Sequence, residues 1–188
     1  MIVLLCGYKG CGKDTFANYL SMKYNFAHKK ISQPLKEGLK HIFGFTDDQI
    51  EGPLKDVVDE RYSMTPRGAM IYLGTDIFQF NIQNKIKNID RNFWVKQLVE
   101  RIASSGDENV VVSDLRFWHE LNYLKSTNRH DDIVVVKIVN PSLQIFQKDA
   151  DQSEVEHLDF RHDFIIQNTD DDEYYTNIDN LMKKISIS

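Results

Sequence analysis

Three glycines and two lysines crowd into seven residues near the start of the chain: Gly7-Tyr8-Lys9-Gly10-Cys11-Gly12-Lys13. An apolar run, Ile2-Val3-Leu4-Leu5-Cys6, precedes them, and a helical pattern opening at Asp14-Thr15 follows. Glycine accepts backbone conformations closed to other residues, so the chain can curl until successive N–H groups point inward at an anion. The helix that follows adds its positive N-terminal end. The spacing Gly-x-x-x-x-Gly-Lys between a strand and a helix is that of a phosphate-binding loop. It brings Lys13 to the β- and γ-phosphates of ATP, with Gly10, Cys11, Gly12, Asp14 and Thr15 completing the contacts.

Asp14 stands where the common motif has Ser or Thr, and the hydroxyl comes one residue later, at Thr15. Thr15 then serves the phosphates or Mg²⁺. A carboxylate beside a triphosphate is repelled unless Mg²⁺ bridges, the helix end stabilises it, or it faces a second substrate. The plainer reading of Asp14 is complementation of the helix dipole, worth about 0.3–1 kcal/mol. Cys11 likewise has two readings, a redox-sensitive thiol or a small side chain filling the loop, and the second is favoured.

With 23 basic and 28 acidic residues the chain carries a net charge of −5. A mildly acidic chain has no overall attraction for nucleic acid, whereas a free nucleotide needs only local positive charge. Hydrophobic residues at 41% are enough for a core, and no apolar stretch approaches a membrane span. Cys6 and Cys11 cannot make a disulfide framework, and reduced thiols imply a cytoplasmic protein.

Short apolar runs alternate with helical patterns, the mark of a parallel sheet built from βαβ units. Strands are expected at 2–6, 27–31, 110–113, 133–139 and 164–167, and helices at 14–23, 34–43, 66–73, 91–103, 117–124 and 173–185. Thr65 is the expected cap of the third helix, and Gly74 its expected end. The whole chain reads as one domain, with irregular stretches at 45–62 and 141–162 as a mobile insert for a second substrate and a lid.

The run Val110-Val111-Val112-Ser113-Asp114 is an apolar strand ending in a carboxylate. At the carboxyl edge of a parallel sheet this places Asp114 and Arg116 where ligands bind, and Asp114 there holds Mg²⁺ or its waters. A plain helix cap is the rival reading of Asp114. Transfer of a phosphoryl group also needs positive charge at the acceptor, for which Lys36 and Arg67 are candidates. The turn at Gly74-Thr75-Asp76 offers N–H groups, and Phe93 and Trp94 offer rings for a base. Each also has a bland reading: a solvated helix face, a surface ion pair or a core residue.

Taken together, Gly10-Cys11-Gly12-Lys13-Asp14-Thr15, Gln33-Pro34-Leu35-Lys36-Glu37, Thr65-Pro66-Arg67, Leu73-Gly74-Thr75-Asp76, Phe93-Trp94-Val95-Lys96 and Ser113-Asp114-Leu115-Arg116 with Glu120 resemble the bacteriophage-type deoxynucleoside monophosphate kinases. The likeness runs through most of the chain. It implies a three-layer, adenylate-kinase-like P-loop α/β fold, with a central parallel sheet of about five strands, helices on both faces and a small lid. It implies transfer of the ATP γ-phosphate to a deoxynucleoside monophosphate. Lys13 and Thr15 then sit at the donor phosphates, and Thr15 and Asp114 hold Mg²⁺ through water. Arg67, Thr75, Trp94, Asp114, Arg116 and Glu120 line the acceptor site. The partners implied are nucleotides, with a homodimer by likeness alone and a viral source. Two features depart from the pattern. Ser153-Glu154 is preceded by Asp151-Gln152 where the family often has a His, leaving Lys148 and Arg161 as the nearest basic residues of the lid. The stretch 45–62 also looks short.

Other readings keep the loop and change the rest. One is a kinase of phosphomevalonate or dephospho-coenzyme A; another is a module that binds ATP without transferring phosphate. A zinc site at His157, Asp159, His162 and Asp163 lacks cysteines and compact spacing.

Overall fold

The computed structural model describes residues 1–127, 133–146, 161–169 and 172–185. Five strands form one parallel sheet: β1 (Ile2–Cys6), β2 (Ala27–Lys29), β3 (Val110–Val112), β4 (Ile133–Val139) and β5 (Phe164–Gln167), in the order β2-β3-β1-β4-β5. The strand order reverses at β1, so the loop after β1 emerges at the carboxyl edge where open α/β sheets bind ligands. Central strands of a parallel sheet are apolar throughout because both faces are covered. β1 obeys this rule: Val3, Leu4, Leu5 and Cys6 are wholly buried.

Seven α-helices are described: α1 (Lys13–Tyr24), α2 (Gln33–Phe43), α3 (Asp47–Ile50), α4 (Pro66–Ile71), α5 (Phe93–Ser105), α6 (Trp118–Ser126) and α7 (Asp172–Ile185). One face of the sheet, through Val3, Leu5, Val111, Val136 and Ile138, packs with Phe16 and Leu20 of α1 and Tyr174, Ile178 and Leu181 of α7. The alternate residues Leu4, Val110, Val112 and Val135 are also fully buried, so the opposite face is covered too.

The chain forms two compact units, Met1–Lys30 with Val99–Ser188, and Ile31–Leu98. The first holds the sheet. The second has its own small core of Leu39, Phe45, Ile50, Ala69 and Met70, with Leu35 and Leu73 packed against it. The expected insert at 45–62 lies within this second unit and is more regular than its composition suggests. Thr46 and Gln49 cap α3 reciprocally, Pro53–Asp56 forms a 3-10 turn, and Asp59 pairs with Met64. Phe45 is buried and stacks on Phe43.

The sequence places the end of the third helix near Gly74. Instead α4 runs on as a π-helix, Tyr72–Asn81. Gly74 serves packing there, since a Cβ on it would stand 2.5 Å from Leu35 Cδ2. Thr65 caps α4 as expected, its hydroxyl accepting from the Gly68 N–H at 3.0 Å. β2 is shorter than expected and ends at Lys29. Of the expected lid at 141–162, residues 147–160 lie outside the described residues, Lys148, Ser153 and Glu154 among them. His157 and Asp159 fall outside as well. Among the described residues no helix is long and apolar enough to cross a membrane.

Gly7 makes the exit from β1 sterically demanding. Its φ is +140°, and an added Cβ would meet the Ile138 carbonyl oxygen at 2.4 Å and Cys11 Sγ at 2.8 Å. Gly7→Ala is therefore expected to lower stability by more than about 2 kcal/mol, read from the urea midpoint. An unchanged midpoint would mean that β4 yields freely.

Candidate active site

Three positive φ values shape the loop, at Gly7, Gly10 (+80°) and Gly12 (+101°). A turn from the Cys11 N–H to the Tyr8 carbonyl, 3.2 Å, closes its middle. Gly12 is the cap of α1, whose first residue is Lys13. The Lys13 ammonium donates to the Gly7 and Tyr8 carbonyls at 2.6 and 2.7 Å, so it lies across the loop. From behind, Asn168 Nδ2 donates to the Cys11 carbonyl and the Tyr174 hydroxyl donates to the Gly12 carbonyl, each at 3.0 Å. Cys11 is buried, and burial pushes its thiol pKa up despite Lys13. That favours the space-filling reading over a reactive thiolate.

Asp14 points to residues at the ends of β2 and β3. Ser113 Oγ donates to its Oδ1 at 2.6 Å, and Lys30 Nζ lies 3.2 Å from each carboxylate oxygen. His28 Nε2 sits 2.7 Å from Ser113 Oγ. Burial raises the Asp14 pKa, but the Ser113 hydroxyl and Lys30 together outweigh it and hold the carboxyl below its ordinary value. Thr15 is exposed at the same helix end.

Beyond β3 the chain turns sharply into α6. Asp114 and Arg116 are half-buried on this turn, and Glu120 is 4% exposed beneath it. Glu120 Oε2 accepts from the Arg116 and Phe117 backbone N–H groups at 3.0 and 3.1 Å. Burial drives its pKa up to about 8, the two amides pull it down, and Asp114 adds to the rise. Glu120 thus shapes the turn that carries Asp114 and Arg116, where the sequence suggested a residue facing the acceptor.

The second unit contains the other sequence candidates. Arg67 grips Asp56 through two guanidinium nitrogens, and Lys36 Nζ lies 2.6 Å from Glu51 Oε1. Trp94 is buried between Phe78 and Phe93, and its indole N–H donates to the Gly74 carbonyl at 2.9 Å. It fixes the Gly74-Thr75 backbone, and its burial leaves no open face for stacking on a base.

A protein of Acanthamoeba polyphaga mimivirus named "Putative deoxynucleotide monophosphate kinase" is 30% identical over 190 residues, spanning 95% of this chain and 94% of that protein. This chain belongs to the deoxynucleotide monophosphate kinase family. No family model matches it. Solved structures with the same fold include a dephospho-CoA kinase from Campylobacter jejuni, at TM-score 0.51 and 15% identity over 98% of this chain and 96% of that one. A shikimate kinase from Bacteroides thetaiotaomicron matches at TM-score 0.51 and 15% identity, over 99% and 98%. Both share the fold of this deoxynucleotide monophosphate kinase family member through nearly its whole length.

The residues present fit a nucleotide's phosphates and magnesium. The loop of this family member gathers glycine-shaped turns, a helix start and an ammonium in one place. Thr15 and Asp114 supply hard oxygen donors, the kind magnesium takes while keeping waters. Among the described residues no cluster of three or more His, Cys, Asp or Glu is set to hold a metal by itself. His28, Lys30, Asn168 and Tyr174 escaped the sequence reading of this site. A polar Asn closing the apolar run of β5 was the one available signal.

Glu120 titrates in a way that can be tested. The unfolded carboxyl loses its proton near 4.5, the folded one near 8, so the proton kept by the folded state stabilises fully below the first value and this contribution is lost as pH rises through the second. Glu120→Gln keeps the accepting oxygen without the charge. Its Tm relative to wild type is expected to climb from about pH 5 to about pH 8 and then level off. A flat difference would show that the carboxyl does not hold its proton.

Proposed function

We propose that this chain transfers the γ-phosphate of ATP to a deoxynucleoside monophosphate, giving the diphosphate. The glycine-shaped loop crossed by Lys13 supports this most strongly, in a chain of the deoxynucleotide monophosphate kinase family. The amides of Gly10, Cys11 and Gly12 hold the donor phosphates, and the Lys13 ammonium moves from the Gly7 and Tyr8 carbonyls onto them. Thr15, and Asp114 through water, hold magnesium, which neutralises phosphate charge when bound.

For the acceptor phosphate the second unit offers Arg67, with Lys36 adding charge, and the first unit offers Arg116. Arg67 and Lys36 each hold a carboxylate in the structure, Asp56 and Glu51, which a doubly charged phosphate displaces. Gly74 and Thr75 offer backbone and hydroxyl contacts, Trp94 holds that backbone, and Glu120 holds the turn of Asp114 and Arg116. Asp14 borders both substrates. No covalent enzyme intermediate enters: the residues align the reacting oxygens and neutralise charge.

Lys13→Ala is expected to cut turnover at least about a hundredfold with little change in Tm. Coupled ADP release over dAMP, dGMP, dCMP, dTMP, phosphomevalonate and dephospho-CoA is the deciding assay. Activity confined to the two non-nucleotide-monophosphate acceptors would overturn the reading, as would ATP binding without any product.

A further inference from the structure

Asp14 poses a problem that the proposed reaction does not solve. It adjoins Lys13, which the proposed reaction assigns to the donor phosphates, and its side chain is 59% exposed, so packing does not fix it. A carboxylate free to rotate there would compete with ATP for the Lys13 ammonium. Hydrogen bonds do the fixing, and they form a chain. Ionised carboxylates only accept, so the single hydroxyl proton of Ser113 is committed to Asp14 Oδ1 at 2.6 Å. The 2.7 Å contact between Ser113 Oγ and His28 Nε2 then requires the proton on the ring nitrogen. The other nitrogen, Nδ1, lies 3.3 Å from Asn18 Oδ1. Asp14 and Asn18 lie one turn apart on α1, so that helix meets the ring directly at Asn18 and, through Ser113, at Asp14, whose Oδ1 also stands 3.7 Å from Nε2. Lys30 flanks the carboxylate, and the Arg101 guanidinium fixes the Lys30 backbone carbonyl at 2.7 Å.

We propose that His28 is a positioning residue which, through Ser113, holds the Asp14 carboxylate toward β2 and β3 and so reserves the Lys13 charge for the donor phosphates. The inference rests on the kinase reading for its purpose. Its geometry stands by itself: the Asp14 oxygens lie on Ser113 and Lys30, and the Lys13 ammonium on the Gly7 and Tyr8 carbonyls.

The test is equilibrium binding of a ribose-labelled fluorescent ATP analogue with magnesium, which does not depend on turnover. His28→Ala is expected to weaken binding about tenfold in the wild-type background. In an Asp14→Asn background the same change is expected to have almost no effect, because no charge remains to stray. His28→Gln, whose amide N–H can reach Ser113, is expected to stay within about threefold of wild type. Ser113→Ala, which cuts the chain at its middle, is expected to match His28→Ala and to add nothing to it. Equal losses in both Asp14 backgrounds would overturn the relay, as would no loss in either, or independent losses from His28 and Ser113. A wild-type protein that binds the analogue but phosphorylates no monophosphate overturns the kinase reading and leaves the relay standing. One that binds no analogue overturns both.

Discussion

A loop that turns its amides inward must turn its carbonyls outward, and a buried carbonyl without a donor costs about 1–3 kcal/mol. Here Asn168 Nδ2 serves the Cys11 carbonyl, and the Gly12 carbonyl takes the Tyr174 hydroxyl beside the Phe16 N–H of its own helix. Asn168 is itself held where β5 ends, its N–H on the Val139 carbonyl at 2.8 Å. β5 pairs with β4 and β4 with β1, so sheet order and loop shape form one connected system. An added Cβ on Gly12 would fall 2.3 Å from Asn168 Nδ2, which shows how closely the two sides meet.

Charge is handled differently in the two units. Around the loop, Asp14 is restrained by several groups that keep it ionised and in place. In the second unit, Arg67 and Lys36 hold partly exposed carboxylates, and pairs of that kind are worth about 0–1 kcal/mol. A pair so weak is easily exchanged for a phosphate. Asp59 contrasts with them: Arg61 first, and Gln49, hold its pKa far below the usual carboxylate range, and it is 9% exposed. Its fork with Arg61 closes the turn that returns to Met64, a structural task without exchange.

Much of this was readable in the chain. The glycine spacing, the apolar strands and the cap at Thr65 depend on neighbours in sequence, and local rules reach them. Gly74 misled because glycine near a helix end commonly terminates it, whereas here its missing side chain admits Leu35. Glu120 was legible as important but not as buried, since burial depends on the turn it braces. The roles of His28, Asn168 and Tyr174 were hidden for a plainer reason, the polar residue after β5 being the sole hint: their partners Ser113, Cys11 and Gly12 lie 85, 157 and 162 residues away.

Those separations also bear on how the protein comes into being. A ribosome delivers β1 and the glycine turn well before Asn168 and Tyr174, which follow their partners by 157 and 162 residues. Until they arrive, the Cys11 carbonyl lacks its Asn168 donor and the Gly12 carbonyl has the Phe16 N–H without the Tyr174 hydroxyl, so the turn is braced from its own helix alone. Nucleotide capture thus waits for β5 and α7, and chains terminated ahead of them would not hoard ATP.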